Sequence, residues 1–155
     1  MSDSYEKIVK SIHKRNDNLI YNFEGWLKRS GLGEKTVKNH VDNISFFLND
    51  FVTYQDISED ENYTTLCHAE DGIKLVGEFL GYWFIRKAMW ASESSIKSNI
   101  TTIKKFYTFM QSLGLISAEE LKDLNDEIKE YKQEWIDTVK RYDDPDVDFE
   151  DVWGF

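Results

Sequence analysis

The chain has 155 residues, 41% of them hydrophobic and 15% aromatic, with a formal net charge of −10. That length suits one domain, and the apolar content supports one real core and excludes wholesale disorder. The single cysteine, Cys67, excludes an intrachain disulfide and fits a reducing compartment.

The longest strongly apolar run, Phe79 to Ile85, falls well short of the roughly 18 residues of a membrane span. Met1 to Lys14 is mixed and polar rather than a basic and then apolar leader. Together these predict a soluble cytoplasmic protein with no membrane partner. The charge is unevenly spread. Residues 117–155 hold 14 acids and 5 bases, whereas residues 1–116 hold 15 acids and 14 bases. Within 72–116 only Glu78 and Glu93 face six lysines and arginines. A neutral-to-basic body thus carries an acidic end.

In chain order, apolar spacing with period 3.6 predicts five helices. The first spans roughly Ser4 to Arg29, with a candidate break at Asn16 to Asn18, and buries Leu19, Ile20, Phe23, Trp26 and Leu27. Ser30-Gly31-Leu32-Gly33 ends it, since glycine takes the left-handed conformation that closes a helix. The second, about Glu34 to Thr53, has the seam Val37, Val41, Ile44, Leu48 and Phe51. Asp56 to Thr65 reads as a polar, acidic loop.

The third, about Glu70 to Trp90, is apolar on nearly every side and is expected to be the most buried, with Phe79, Leu80, Trp83 and Phe84 in the core. Gly77 and Gly81 are expected to admit a neighbouring backbone. The fourth, about Ser94 to Leu113, repeats the seam spacing of the second with Ile96, Ile100, Ile103, Tyr107 and Met110. Ser92 or Ser94 can cap it, and Gly114 stops it. Ser117 and Glu120 form a capping box that opens a fifth helix to about Arg141, striped by Leu121, Leu124, Ile128, Tyr131 and Trp135. Asp143 to Phe155 is an acidic tail with aromatics. No stretch alternates with period two for long enough to make a strand, so the fold class is all-α.

Catalytic and metal chemistry is not indicated. Cys67 and His68 are adjacent, whereas a zinc site needs about four ligands at loop-forming spacings. Asp144-Pro145-Asp146-Val147-Asp148 opens like a calcium loop, but Phe149 stands at the glycine position and Phe155 at the closing glutamate. No phosphate-cradling glycine motif occurs. No cofactor is expected. The starts of the second and fourth helices look alike: small or hydroxyl residues, then an apolar anchor, then lysine. Helix starts offer unpaired N–H groups to phosphate, and the same pattern also serves plain capping beneath a solvated face.

Two phrases carry a family resemblance. Phe23-Glu24-Gly25-Trp26-Leu27 through Gly31-Leu32 to Lys35-Thr36-Val37 resembles the start of the core-binding domain of tyrosine recombinases (phage integrases). So does Ser94-Ser95-Ile96 through Ile103-Lys104-Lys105-Phe106-Tyr107-Thr108-Phe109-Met110 to Gly114-Leu115-Ile116. The likeness covers about Leu19 to Ile116. It implies a four-helix SAM-like bundle that clamps double-stranded DNA, with the second and fourth helices at the groove and backbone. Carried over by position, the DNA-facing residues are Lys35, Thr36, Lys38 and Asn39, then Ser95, Lys97, Ser98, Thr101, Lys104 and Lys105.

Departures are present: Gly33 replaces a common hydroxyl, and Ser117-Ala118 replaces the usual Asn-Pro. None of His13, His40 or His68 has an arginine three residues on, and 39 residues from Ser117 are too few for the catalytic fold. No strand transfer is expected from these residues alone. The predicted organisation is a core-binding-like body over 1–116, a long amphipathic helix over 117–142, and the tail over 143–155. One reading is an accessory or regulatory DNA-binding factor in recombination or mobile-element biology. The other is a protein-interaction module on the same fold, docking a partner or a second copy through Trp135 on the last helix and Phe149, Trp153 and Phe155 in the tail.

Overall fold

The computed structural model describes residues 2–55 and 66–143, and every element among them is helical. The acidic loop 56–65 and the tail from 144 onward, with Phe149, Trp153 and Phe155, lie outside the described residues. No helix among the described residues is long and apolar enough to cross a membrane.

Helix α1 runs unbroken over Ser2–Arg29. The expected break at Asn16 is instead a polar contact between helices. Asn16 is buried, and its amide donates to Asn49 Oδ1 at 2.9 Å. Burial of an amide demands such a partner, and a neighbouring element supplies it without bending α1. Gly31, with φ +92°, turns the chain into α2, Glu34–Ser45. That helix continues through a π turn over Phe46–Phe51 and a 3-10 turn over Val52–Tyr54.

The segment expected to be one long helix is instead interrupted. A 3-10 turn over Ala69–Lys74 leads to α3 (Val76–Glu78), a second π turn (Phe79–Trp83) and α4 (Phe84–Lys87), and Ala88 is extended. A sequence apolar on every side favours no single helical face. Rewinding lets the segment bury Phe79, Leu80, Phe84 and Ile85 while Tyr82, Met89 and Trp90 remain exposed. Trp83, expected in the core, is half-buried at its edge. The two π turns meet through aromatic rings: Phe79 lies 4.9 Å from Phe47 and 5.2 Å from Phe51 between centroids.

Helix α5, Glu93–Ser112, opens on the Ser92 cap, whose hydroxyl accepts from the Ser95 N–H. It closes on Gly114, with φ +76°. There the Leu115 N–H reaches the Met110 carbonyl at 3.0 Å and the Gly114 N–H reaches Gln111 at 3.0 Å, the paired bonds of a Schellman ending. All five residues of the expected α5 seam are buried.

Helix α6, Ala118–Asp143, starts with the expected capping box. Glu120 N–H donates to Ser117 Oγ, and Ser117 N–H donates to the Glu120 carboxylate, each at 3.0 Å. This helix is not an arm held out for a partner. Leu124, Ile128, Trp135, Ile136 and Val139 are all buried against the body. Of the two glycines expected to admit a backbone, Gly81 admits the Trp135 indole instead, and Gly77 lies against the Glu127 carboxylate. A Cβ at Gly81 would lie 2.8 Å from Trp135 Cδ1.

Candidate nucleic-acid interface

Helix α5 lies between α2 and α6, and each neighbour runs antiparallel to it. Along the α2 flank, His40 Nδ1 meets Thr102 Oγ1 at 2.6 Å. Asn43 donates to Ser98 and Thr102, each at 3.0 Å. Rising numbers on α2 therefore meet falling numbers on α5. At the far end the Phe46 ring packs at a tilt 5.2 Å from Trp90, just ahead of α5. Along the other flank, Lys140 near the end of α6 binds Glu93 at the start of α5 at 2.7 Å.

Seven of the ten sequence-predicted DNA-facing residues are exposed: Lys35, Thr36, Lys38 and Asn39 on α2, and Lys97, Thr101 and Lys104 on α5. Ser95, Ser98 and Lys105 are half-buried. Helical spacing gives α5 an outward stripe of Ser94, Lys97, Thr101, Lys104 and Thr108, all exposed and none acidic. This stripe and the exposed side of α2 share the outer face of one helical layer.

Three details depart from the expected clamp. The two helix starts cannot hold one phosphate together. With Asn43 level with the middle of α5, a 1.5 Å rise per residue puts the starts about 25 Å apart along the layer. Ser95 is committed to the cap, where its hydroxyl accepts from the Ser92 N–H at 2.8 Å. Two of the lysines carry acid partners, Lys38 with Asp42 at 2.7 Å and Lys97 with Glu93 at 3.0 Å. Lys35, Lys104 and Lys105 meet no carboxylate among the described residues.

Glu93 holds both Lys140 and Lys97, and their hydrogen bonds pull its carboxyl down to about 2. His40 carries a different signature. Burial, and then the charge of nearby Lys105, lower its pKa from the ordinary 6.5. The Thr102 hydroxyl donates to the Ser98 carbonyl at 3.0 Å, so at its contact with His40 it acts as acceptor and Nδ1 carries the proton. Neutral His40 is therefore the form the fold favours. The stability this confers is complete above pH 6.5 and is lost as pH falls through the lowered value. His40→Asn should remove a fall in urea midpoint between pH 7 and 5 that the parent chain displays. A parent midpoint flat over that interval would refute the assignment.

Trp135, expected to bind a partner, is only 5% exposed and already covered by its own chain. What the sequence reading missed lies on the same helix. The α5-facing flank of α6 carries Lys122, Lys129, Lys132 and Lys140, and its opposite flank carries Glu120, Asp123, Glu127, Glu130 and Glu134. Summing charge over 117–155 hid this division, which the helical phase of the lysines, spaced +7, +3 and +8, displays. Between α5 and α6 runs a groove of about 680 Å³, lined by Lys104, Thr108, Asn125, Asp126, Lys129 and Lys132 over Ile100 and Ile128.

Comparison with protein-family models, curated proteins and solved structures returned no match for this chain.

Proposed function

We propose that this chain is a non-catalytic binding domain for double-stranded DNA, of the SAM-like core-binding type found in tyrosine recombinases, serving recombination or mobile-element biology as an accessory or regulatory factor. The observation that carries this reading is the outward stripe of α5. It alternates hydroxyl and lysine from Ser94 to Thr108 without one acid, in a chain whose net charge is −10. Over the whole of α5 the single acid, Glu93, stands against Lys97, Lys104 and Lys105, so this helix is basic in an acidic chain. Phosphate contacts by lysine release counterions and dominate the affinity of DNA-binding proteins. The resemblance of the α2 and α5 segments to the recombinase domain agrees with the same face.

The hydroxyls have a limited part. Those of Thr101 and Thr108 donate to the carbonyls of Lys97 and Lys104, so outward they present methyl groups and a lone pair. Lysines carry the binding, and modest sequence selectivity is expected. A titration of the full chain against duplex DNA at several salt concentrations tests this. Binding should weaken with salt, and Lys104→Gln or Lys105→Gln should each flatten the log–log slope by about 0.9. Absence of binding at low salt would overturn the reading.

The protein-interaction alternative has one observation in its favour. Met89 is 99% exposed and Trp90 57% exposed, beside exposed Tyr82. Exposed aromatics with a methionine suit a protein partner. Duplex binding unaffected by the lysine substitutions would favour that surface.

A further inference from the structure

We propose that the groove between α5 and α6 is a second phosphodiester-binding site, in which Lys104, Lys129 and Lys132 hold the backbone of a DNA duplex on the side of α5 away from α2. This deepens the DNA-binding reading and rests on it, but it assigns residues that lie beyond the recombinase-like segment.

The argument is electrostatic. Four other lysines of this layer are matched, Lys38 by Asp42, Lys97 and Lys140 by Glu93, and Lys122 by Asp126, whereas Lys35 and Lys105 stand singly outside the groove. The three in the groove meet no carboxylate among the described residues, and Asp126 at its rim is held by Lys122 at 3.0 Å. Three like charges gathered over the apolar floor of Ile100 and Ile128 repel one another, and a polyanion relieves that repulsion. Asn125 adds a neutral donor at the same rim. Asp126 is the one acid lining the groove, and Glu120, Asp123, Glu127, Glu130 and Glu134 fall on the other flank of α6 by helical spacing.

The spacing also suits a duplex. Packed helix axes lie about 8–10 Å apart, which separates α2 from α6 by roughly 20 Å across α5. A major groove is about 12 Å wide between its phosphate walls, so lysine side chains reaching inward from both flanks can meet the two strands while α5 faces the groove between them. Lys35 would serve one strand, and Lys129 with Lys132 the other.

The test uses the full chain and a short DNA duplex, with affinity followed by anisotropy across a salt series. Three exposed-lysine variants are compared: Lys129→Gln/Lys132→Gln, Lys35→Gln/Lys38→Gln, and Lys122→Gln as a control on the same helix outside the groove. Helical circular dichroism and the thermal midpoint confirm that each is folded. The α6 double variant should flatten the log–log slope by about 1.8 and weaken binding at 0.1 M salt roughly tenfold or more. The control should change the slope little, because Lys122 is already committed to Asp126. If the α2 variant flattens the slope and the α6 variant does not, the groove proposal is wrong and the DNA reading stands. If Lys122→Gln has as large an effect per charge as the groove lysines, net charge rather than the groove is responsible and the proposal is again wrong. Should the parent chain fail to bind the duplex at low salt, both fall together.

Discussion

Replacing Phe79 by alanine is expected to remove about 3–5 kcal/mol of stability, a large share of the roughly 5–15 kcal/mol available to a domain of this size. The ring is fully buried, and it is the meeting point of the two π turns. Phe46, Phe47, Phe51, Trp83 and Phe84 all lie within 6.2 Å of it between centroids. Such neighbours cannot all collapse onto a deleted phenyl group, because each is held by its own turn, so a cavity remains. Trp83→Ala should cost less, about 2 kcal/mol, since that indole lies at the edge of the core and is only partly buried. Urea unfolding measures both. A loss below about 1 kcal/mol for Phe79→Ala, or a larger loss for Trp83→Ala, would mean that the core is centred elsewhere.

That ordering of the two aromatics was not legible in the sequence, and the reason is physical. Where the apolar pattern has one face, as in the α5 seam from Ile96 to Met110, helical periodicity identifies the buried residues directly. Where local chemistry closes an element, as at Ser92, Gly114 or the Ser117–Glu120 box, the signal lies within a few residues and is read just as directly. The segment from Ala69 to Trp90 offers neither. Apolar on all sides, it is shaped by what packs against it: Tyr107 donates to the Ala69 carbonyl at 2.7 Å, and Trp135 presses on Gly81.

The candidate site divides in the same way. The α5 lysines follow from spacing on one helix. The antiparallel pairing that separates the two helix starts depends on contacts between distant residues, such as Asn43 with Ser98. The α6 lysines were visible in principle, but a charge total taken over the whole end of the chain mixed them with the acids of the other flank and of the tail.

Trp135→Ala should also cost about 3–5 kcal/mol, and its effect reaches the proposed DNA face. The indole is 5% exposed, with Ile128, Ile136 and Val139 buried on the same helix. It rests where Gly81 leaves no side chain, so it fixes α6 across the rewound segment. Gly81→Ala probes that contact from the opposite side. A methyl group 2.8 Å from Cδ1 and 2.9 Å from Nε1 of a buried ring cannot be accommodated without a shift. Overpacking of this kind costs about 1–3 kcal/mol, more than the helix-propensity gain of at most about 1 kcal/mol from replacing glycine. In the Trp135→Ala background the clash partner is gone, and Gly81→Ala should become neutral or slightly stabilising. The double-mutant cycle should therefore return a coupling of about 1–3 kcal/mol, read from urea unfolding of the four proteins. Equal costs for Gly81→Ala in both backgrounds would show that the indole does not lie on the glycine. With the coupling present, Trp135→Ala should also weaken duplex binding under conditions where the variant remains folded, because Lys129 and Lys132 can flank α5 only while α6 is docked against it.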